Sequence, residues 1–248
     1  KAGLPHPSVV WYRAGQSPTI GAEAKGNINR FAEAAGHAFV TSVKRHLGQD
    51  KRFHILGKPR TAREVAADVL RYLKEHAKSS GWPLKEAVMT IPVHFKGAAR
   101  RDLREAAREA GIEVLAFIHE PFAAAVAYYR QHGYDFKSLP DQRLLVFDWG
   151  GGTLDITLTQ TRAGRLEEVA TGGLDGIAGD RFDERIQDWA RSRFLGRYKL
   201  HPEAFALKPD TRDRFREACE QAKIALSTRC SASVQVASIL QIEEREYD

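Results

Sequence analysis

The chain has 248 residues, 43% hydrophobic and 28% charged, and its 38 Lys and Arg against 32 Asp and Glu give a net charge of +6. That length carries one large domain or two ordinary ones with real cores. No apolar run approaches the roughly 20 residues of a membrane span, and Cys219 and Cys230 are too few for a disulfide framework. Arginines alternate with acids, which makes solvated helix faces rather than a nucleic-acid surface. The composition therefore points to a reduced, cytoplasmic protein that binds neither nucleic acid nor membrane. Lys1 to Pro7 lacks the apolar core of a signal peptide, and the chain opens at or just before a strand, as if its true start were missing.

Ser8 to Tyr12 reads as a short strand and Gly15 to Pro18 as a turn. Ala22 to Gly36 reads as a helix broken at Gly26 and Asn27, Val43 to Gly48 as a short segment closed by glycine, and Arg52 to Leu56 as a small strand. Thr61 and Glu64 form a capping box. The helix after them carries Val65, Val69, Leu70 and Leu73 on one stripe and ends near Gly81. The pattern then becomes regular, with a strand from Ala87 to Ile91 stopped by Pro92, a helix from Ala98 to Ala110 stopped by Gly111, and a strand from Val114 to Ile118. Pro121 opens a helix running to Gln131. Tyr134 to Gln142 is polar and reads as a hinge. Strand–helix–strand–helix–strand implies a mixed sheet with helices on its faces.

The organising segment is Leu144 to Thr159. Leu144 to Phe147 is an apolar run of buried-strand type. After Gly150, Gly151 and Gly152 the chain alternates, with Leu154, Ile156 and Leu158 on one face and Asp155, Thr157 and Thr159 on the other. Period two means a second strand, where a P-loop or a dinucleotide fingerprint needs a helix. The reading is a hairpin with three glycines at its tip. Two residues suffice for most hairpin turns, so the third glycine suggests a main chain that must approach a ligand, with N–H groups converging on a phosphate. A plain glycine-rich turn is the other reading. Asp148 and Asp155 flank the tip; carboxylates repel a phosphate but can hold a hydrated magnesium ion that bridges its oxygens. Beyond it, Arg165 to Ala170 reads as a strand, Thr171 to Gly179 as glycine-rich, Asp180 to Leu195 and Thr211 to Leu226 as helices, and Ser233 to Ile239 as a last strand. The four tryptophans, Trp11, Trp82, Trp149 and Trp189, read as core or edge packing. The nine histidines show no metal spacing, and no nucleophile-elbow motif is present.

With these segments in hand the chain resembles the nucleotide-binding domain of the DnaK-like 70-kDa heat-shock chaperones, from about Pro7 to about Ile239. The segments are Phe147 to Asp155, His119 to Ala125, Val43 to Gly48, Gly179 to Asp183 and Glu220 to Ser227. Five of them in the family's order are far more specific than any one. The resemblance implies an α/β, actin-like (ribonuclease H-like) ATPase fold of two lobes, each with a mixed β-sheet flanked by helices, and ATP in the cleft between them. It would put 1–138 in the first lobe and 139–248 in the second. It implies ATP or ADP and magnesium as cofactors. Lys44 would reach the γ-phosphate and the attacking water, and Glu120 would help orient that water. Asp148 and Asp155 would hold the magnesium shell or the nucleophilic water, and Thr153 would bond the γ-phosphate or the water. Gly150, Gly151 and Gly152 would cradle the phosphates, Gly179 would stand near the nucleotide, and Glu220, Lys223 and Ser227 would close over ribose and adenine. Pro92 and Arg100 match an interlobe relay.

The same resemblance sets out what differs. An Asp-x-Gly-Thr-Thr turn expected before Ser8, a Gly-Gly-x-x-Arg segment of the adenine pocket and a peptide-binding domain are absent, so the sequence reads as a piece of a longer protein, inactive by itself. Phe122 stands for a usual threonine, His94 for a tyrosine, Lys96 and Gly97 for Asn-Asp, and Ala178 for a glycine. These bear on coupling to a J-domain co-chaperone or a nucleotide-exchange factor more than on nucleotide binding. In the complete protein the nucleotide state would gate the binding of unfolded client polypeptides. Two rivals stand beside this one: a small-molecule kinase of the same superfamily, and an interaction module that binds nucleotide without turnover.

Overall fold

The computed structural model describes residues 6–31, 34–135, 139–242 and 245–247. Contacts divide the chain into two compact units: Lys1–Asp148 with Asp155–Gly173, and Trp149–Leu154 with Leu174–Asp248. The division falls inside the glycine hairpin, whereas the sequence suggested one after residue 138. Of the expected hinge, residues 136–138 lie outside the described residues.

In the first unit, β1 (Val9–Arg13) is an apolar run buried along most of its length. It pairs antiparallel with β2 (Thr19–Ile20) and β3 (His37–Thr41). Between them α1 (Ala22–Phe31) runs unbroken through Gly26 and Asn27, correcting the expected interruption. The Asn27 side-chain amide donates back to the Glu23 carbonyl one turn earlier, at 2.9 Å, without breaking the helix. A 3-10 turn at Val43–His46 follows, then the hairpin β4 (Arg52–Ile55) and β5 (Lys58–Thr61).

The capping box predicted at Thr61 forms: Thr61 Oγ1 accepts from the Glu64 N–H, and Glu64 accepts from the Thr61 N–H at 2.6 Å. It starts α2 (Ala62–Ser79), which buries Ala62, Val65, Ala66 and Leu70. Leu73, expected on that stripe, lies 39% exposed at its far end. Asp68 is buried on the same helix and accepts from the Tyr12 hydroxyl, Arg60 and Arg71 at 2.8, 2.7 and 2.6 Å. Three donors satisfy a carboxylate that burial would otherwise penalise. Burial, then Asp68, pushes the Tyr12 hydroxyl pKa well up.

Next, β6 (Glu86–Ile91), α3 (Gly97–Glu109) and β7 (Glu113–His119) form a parallel strand–helix–strand unit. Ala106, Ala107, Ile112 and Val114 join Val10, Val65 and Ile91 in one core. From β7 the chain passes directly into α4 (Glu120–Gln131).

The predicted hairpin is β8 (Gln142–Trp149) and β9 (Thr153–Arg162), with β10 (Arg165–Asp175) on β9's other side. The strand at Arg165 extends five residues beyond its predicted end, through Gly172 and Gly173. On β9 the polar face is the buried one: Thr157, Thr159 and Thr161 are all inaccessible. Their hydroxyls bond Thr171 Oγ1 and the carbonyls of Leu144 and Pro140, which is what makes a threonine interior tolerable.

In the second unit, α5 (Gly179–Tyr198) and α6 (Pro209–Leu226) pack around Phe215 and Cys219, with Phe194, Phe205, Val236 and Ile239. The strand expected at Ser233 to Ile239 does not form. Val234 and Val236 turn into this core without a strand partner, and pairing begins at β11 (Leu240–Ile242) with β12 (Arg245–Tyr247). Of the tryptophans only Trp11 is core; Trp82, Trp149 and Trp189 are 79%, 52% and 60% exposed. Among the described residues no helix is long and apolar enough to cross a membrane.

Candidate functional site

The predicted site residues fall into one set in each unit. In the first, Lys44 lies in the 3-10 turn and donates to Glu120 Oε1. Gly48 closes that turn at a φ of +77°, where its N–H donates to Asp102 on α3 at 2.8 Å. A Cβ there would lie 2.5 Å from the Ala99 nitrogen. Glycine is thus what lets the turn carrying Lys44 lie against the start of α3. Glu120 is the first residue of α4, where the helix dipole favours an anion, and Pro121 follows it. A mobile cation and a helix-anchored carboxylate in contact are the parts needed to offset charge and hold a water.

Asp148 is exposed at the end of β8, whereas Asp155 is 2% exposed on β9. Pro92 is buried after β6, and its carbonyl accepts from the Phe95 N–H at 3.1 Å. Arg100 on α3 donates through Nε to the Phe95 carbonyl at 3.0 Å, and its Nη2 lies 3.3 Å from His119 Nε2. His119 Nδ1 in turn lies 3.0 Å from both carboxylate oxygens of Glu168 on β10.

The second unit holds the glycine tip. The Gly150 N–H donates to the Thr153 carbonyl at 3.0 Å and closes the turn. The Gly150 and Gly151 carbonyls accept from the first two N–H groups of α5, at Gly179 (3.1 Å) and Asp180 (2.7 Å). The tip is therefore seated on the start of a helix. The first two amides of α5 are thus taken by the tip's own carbonyls. Trp149 pins the same corner, its indole N–H donating to the Ile177 carbonyl at 2.7 Å. From α6, Lys223 reaches Asp183 at 2.7 Å and the Gly179 carbonyl at 3.4 Å. Glu220 is half-buried one turn before Lys223, and Ser227 ends the helix, exposed. Below them Cys219 is buried; burial, then Asp183, pushes its thiol up to about 11.

These residues fit the groups implied. A Cβ at Gly179 would lie 3.3 Å from Gly151 Cα, 3.5 Å from the Gly150 carbonyl and 3.5 Å from Lys223 Nζ. The absence of a side chain at Gly179 thus lets the glycine tip lie close against the start of α5, beside the Lys223 ammonium that Asp183 holds. Among the described residues no group of three or more metal-ligating side chains exists, which excludes an all-protein metal cage. Magnesium needs none: it takes one or two carboxylates, with phosphate and water completing the shell. A cavity of about 570 Å³ in the second unit is lined by Trp189, Phe194, Tyr198 and Phe215. It contains none of the predicted site residues.

The sequence profile of the family described as Hsp70 protein matches residues 52–247. The chaperone protein DnaK of Thermotoga neapolitana is 36% identical over 233 residues, covering 93% of this chain and 37% of that protein. The DnaK proteins of Thermosipho africanus and Metamycoplasma hominis are 35% and 33% identical, covering 96% and 93% of this chain and 38% and 37% of their own lengths. The chain belongs to the Hsp70 family, and the actin-like ATPase fold is that family's fold. It spans less than two fifths of the length of these relatives.

Proposed function

We propose that this chain is the nucleotide-handling part of a DnaK-like chaperone that binds and hydrolyses ATP, and that it draws on both lobes, with 1–138 in the first and 139–248 in the second. The observation that carries the reading is the glycine tip seated on the start of α5 with Lys223 against Gly179. That arrangement has no use in a plain hairpin turn. Gly151, Gly152 and Thr153 bind phosphate oxygens through main chain and hydroxyl. Gly150, whose amide closes the turn and whose carbonyl accepts from α5, and Gly179, which lets the tip lie against α5, shape the main chain beside the nucleotide. Lys223, Glu220 and Ser227 hold the nucleoside. Asp148 and Asp155 are the residues that would hold magnesium. When bound, that ion neutralises charge on the phosphate oxygens. Glu120 accepts a hydrogen bond from the attacking water, and Lys44 offsets the charge that grows on the transferred phosphoryl group.

The nucleotide state gates client polypeptides in a domain outside these 248 residues, with a J-domain co-chaperone and an exchange factor acting in a cytoplasmic setting. The test is steady-state phosphate release by the full-length protein against Lys44→Ala. Turnover is expected to fall about 100-fold, the worth of one electrostatic contact in a transition state, with ATP affinity changed only a few-fold. Equal rates in the two proteins would overturn the reading.

A further inference from the structure

The His119–Glu168 couple joins two elements that the proposed chemistry does not otherwise connect. His119 is the last residue of β7 and the N-cap of α4, immediately before Glu120. A residue at that position ordinarily caps its helix, but the ring makes no capping bond. It is held from both sides instead, by Arg100 at Nε2 and by Glu168 at Nδ1. Those partners settle the tautomer: a guanidinium only donates and a carboxylate only accepts. A neutral imidazole with its proton on Nδ1 satisfies both at once. The other tautomer would set an N–H against the guanidinium and a bare nitrogen against the carboxylate.

We propose that His119 and Glu168 are positioning residues for Glu120, and that through Arg100 they extend the link from the Pro92–Phe95 turn to β10. Glu168 fixes the ring, the ring fixes the backbone where β7 becomes α4, and that backbone aims Glu120 at Lys44. Neither residue touches the reacting atoms. A carboxylate that orients a water is sensitive to displacements of an ångström, so loosening the junction lowers turnover without changing how the nucleotide is held. This rests on the ATPase reading above.

The test compares the full-length protein with Glu168→Ala, Glu168→Gln and His119→Ala, and carries Lys44→Ala beside them. For Glu168→Ala and His119→Ala, kcat is expected to fall about tenfold, the worth of one good hydrogen bond, while the Kd for magnesium ATP changes less than twofold. Glu168→Gln retains an oxygen acceptor and is expected to recover most of the rate. Nitrogen-15 NMR of labelled histidine, read independently of turnover, is expected to show His119 protonated at Nδ1 and to lose that signature in Glu168→Ala. A normal kcat in Glu168→Ala, while Lys44→Ala is impaired, overturns this inference alone. So does a wild-type His119 protonated at Nε2, or a Glu168→Gln as slow as the alanine variant. A wild-type rate in Lys44→Ala, by contrast, overturns the ATPase reading and this inference with it.

Discussion

The two sets of site residues are built on opposite principles. The set in the first unit is made of charged side chains: Lys44 against Glu120, and Arg100, His119 and Glu168 in series behind them. The set in the second unit is made of main chain and of missing side chains: carbonyls of Gly150 and Gly151 on the first amides of α5, with space at Gly179 that a single carbon would take. A charge-built site fails when a group is deleted, whereas a backbone-built site fails when a group is added. The first mode of failure should appear in the chemical step, the second in binding.

Breaking that contrast begins with Lys44→Ala, the largest expected effect and a loss of turnover. Gly48→Ala tests the same lysine from behind. A Cβ 2.5 Å from a backbone nitrogen, at a φ of +77°, is expected to destabilise the first unit by about 3 kcal/mol, read by denaturant unfolding. Turnover should fall with it, because the turn carrying Lys44 must move. A fully stable and active Gly48→Ala would mean that the turn does not rest on α3 as described. Gly179→Ala is the matching test in the second unit. Its Cβ meets Gly151 Cα at 3.3 Å, a contact that forces the tip to give. Affinity for magnesium ATP is expected to drop about tenfold, within the range a modest overpacking strain would produce, with the rate of the bound state nearly unchanged. If Gly179→Ala instead lowered kcat at full affinity, the division between binding and chemistry would be wrong.

The contrast also explains what the sequence made legible. Three successive glycines between an apolar run and a strict alternation are a local signal, and a hairpin is a local structure. The tip was therefore readable from its own residues. The Thr61–Glu64 box and the β6–α3–β7 unit are local for the same reason. Lys44 and Glu120 are 76 residues apart and meet only in the fold; nothing in their spacing pairs them, and they entered through the resemblance. His119 and Glu168, 49 apart, carried no signal at all. Asp68 looked like one more polar helix residue, because two of the three donors that allow its burial, Tyr12 and Arg60, come from β1 and β5. The strand at Ser233 to Ile239 was misread for the converse reason. Alternating Val234 and Val236 have the right propensity, but a strand needs a partner, and these side chains pack on α6 instead. β3 and β5 were missed because five residues after a glycine, or four that include Pro59, give too little pattern to separate from a loop.

The smallest expected effect sits at the Thr61–Glu64 box, and its sign is fixed by which charge state the box holds. The Thr61 N–H and then its hydroxyl donate to the Glu64 carboxylate and hold its pKa below the usual glutamate range. A carboxyl group depressed in the folded state contributes stability that is present above its unfolded pKa and is lost as the pH falls through the folded one. Glu64 is only half-buried, so the contribution is small. Glu64→Ala is expected to cost about 0.5 kcal/mol at neutral pH, and the gap between the two proteins should close on acidification. Paired urea titrations of the two proteins, at neutral pH and at a pH where glutamates are protonated, measure it. A gap that persists unchanged in acid would mean that Glu64 stabilises α2 by something other than its charged form, such as the packing of its methylenes against the first turn.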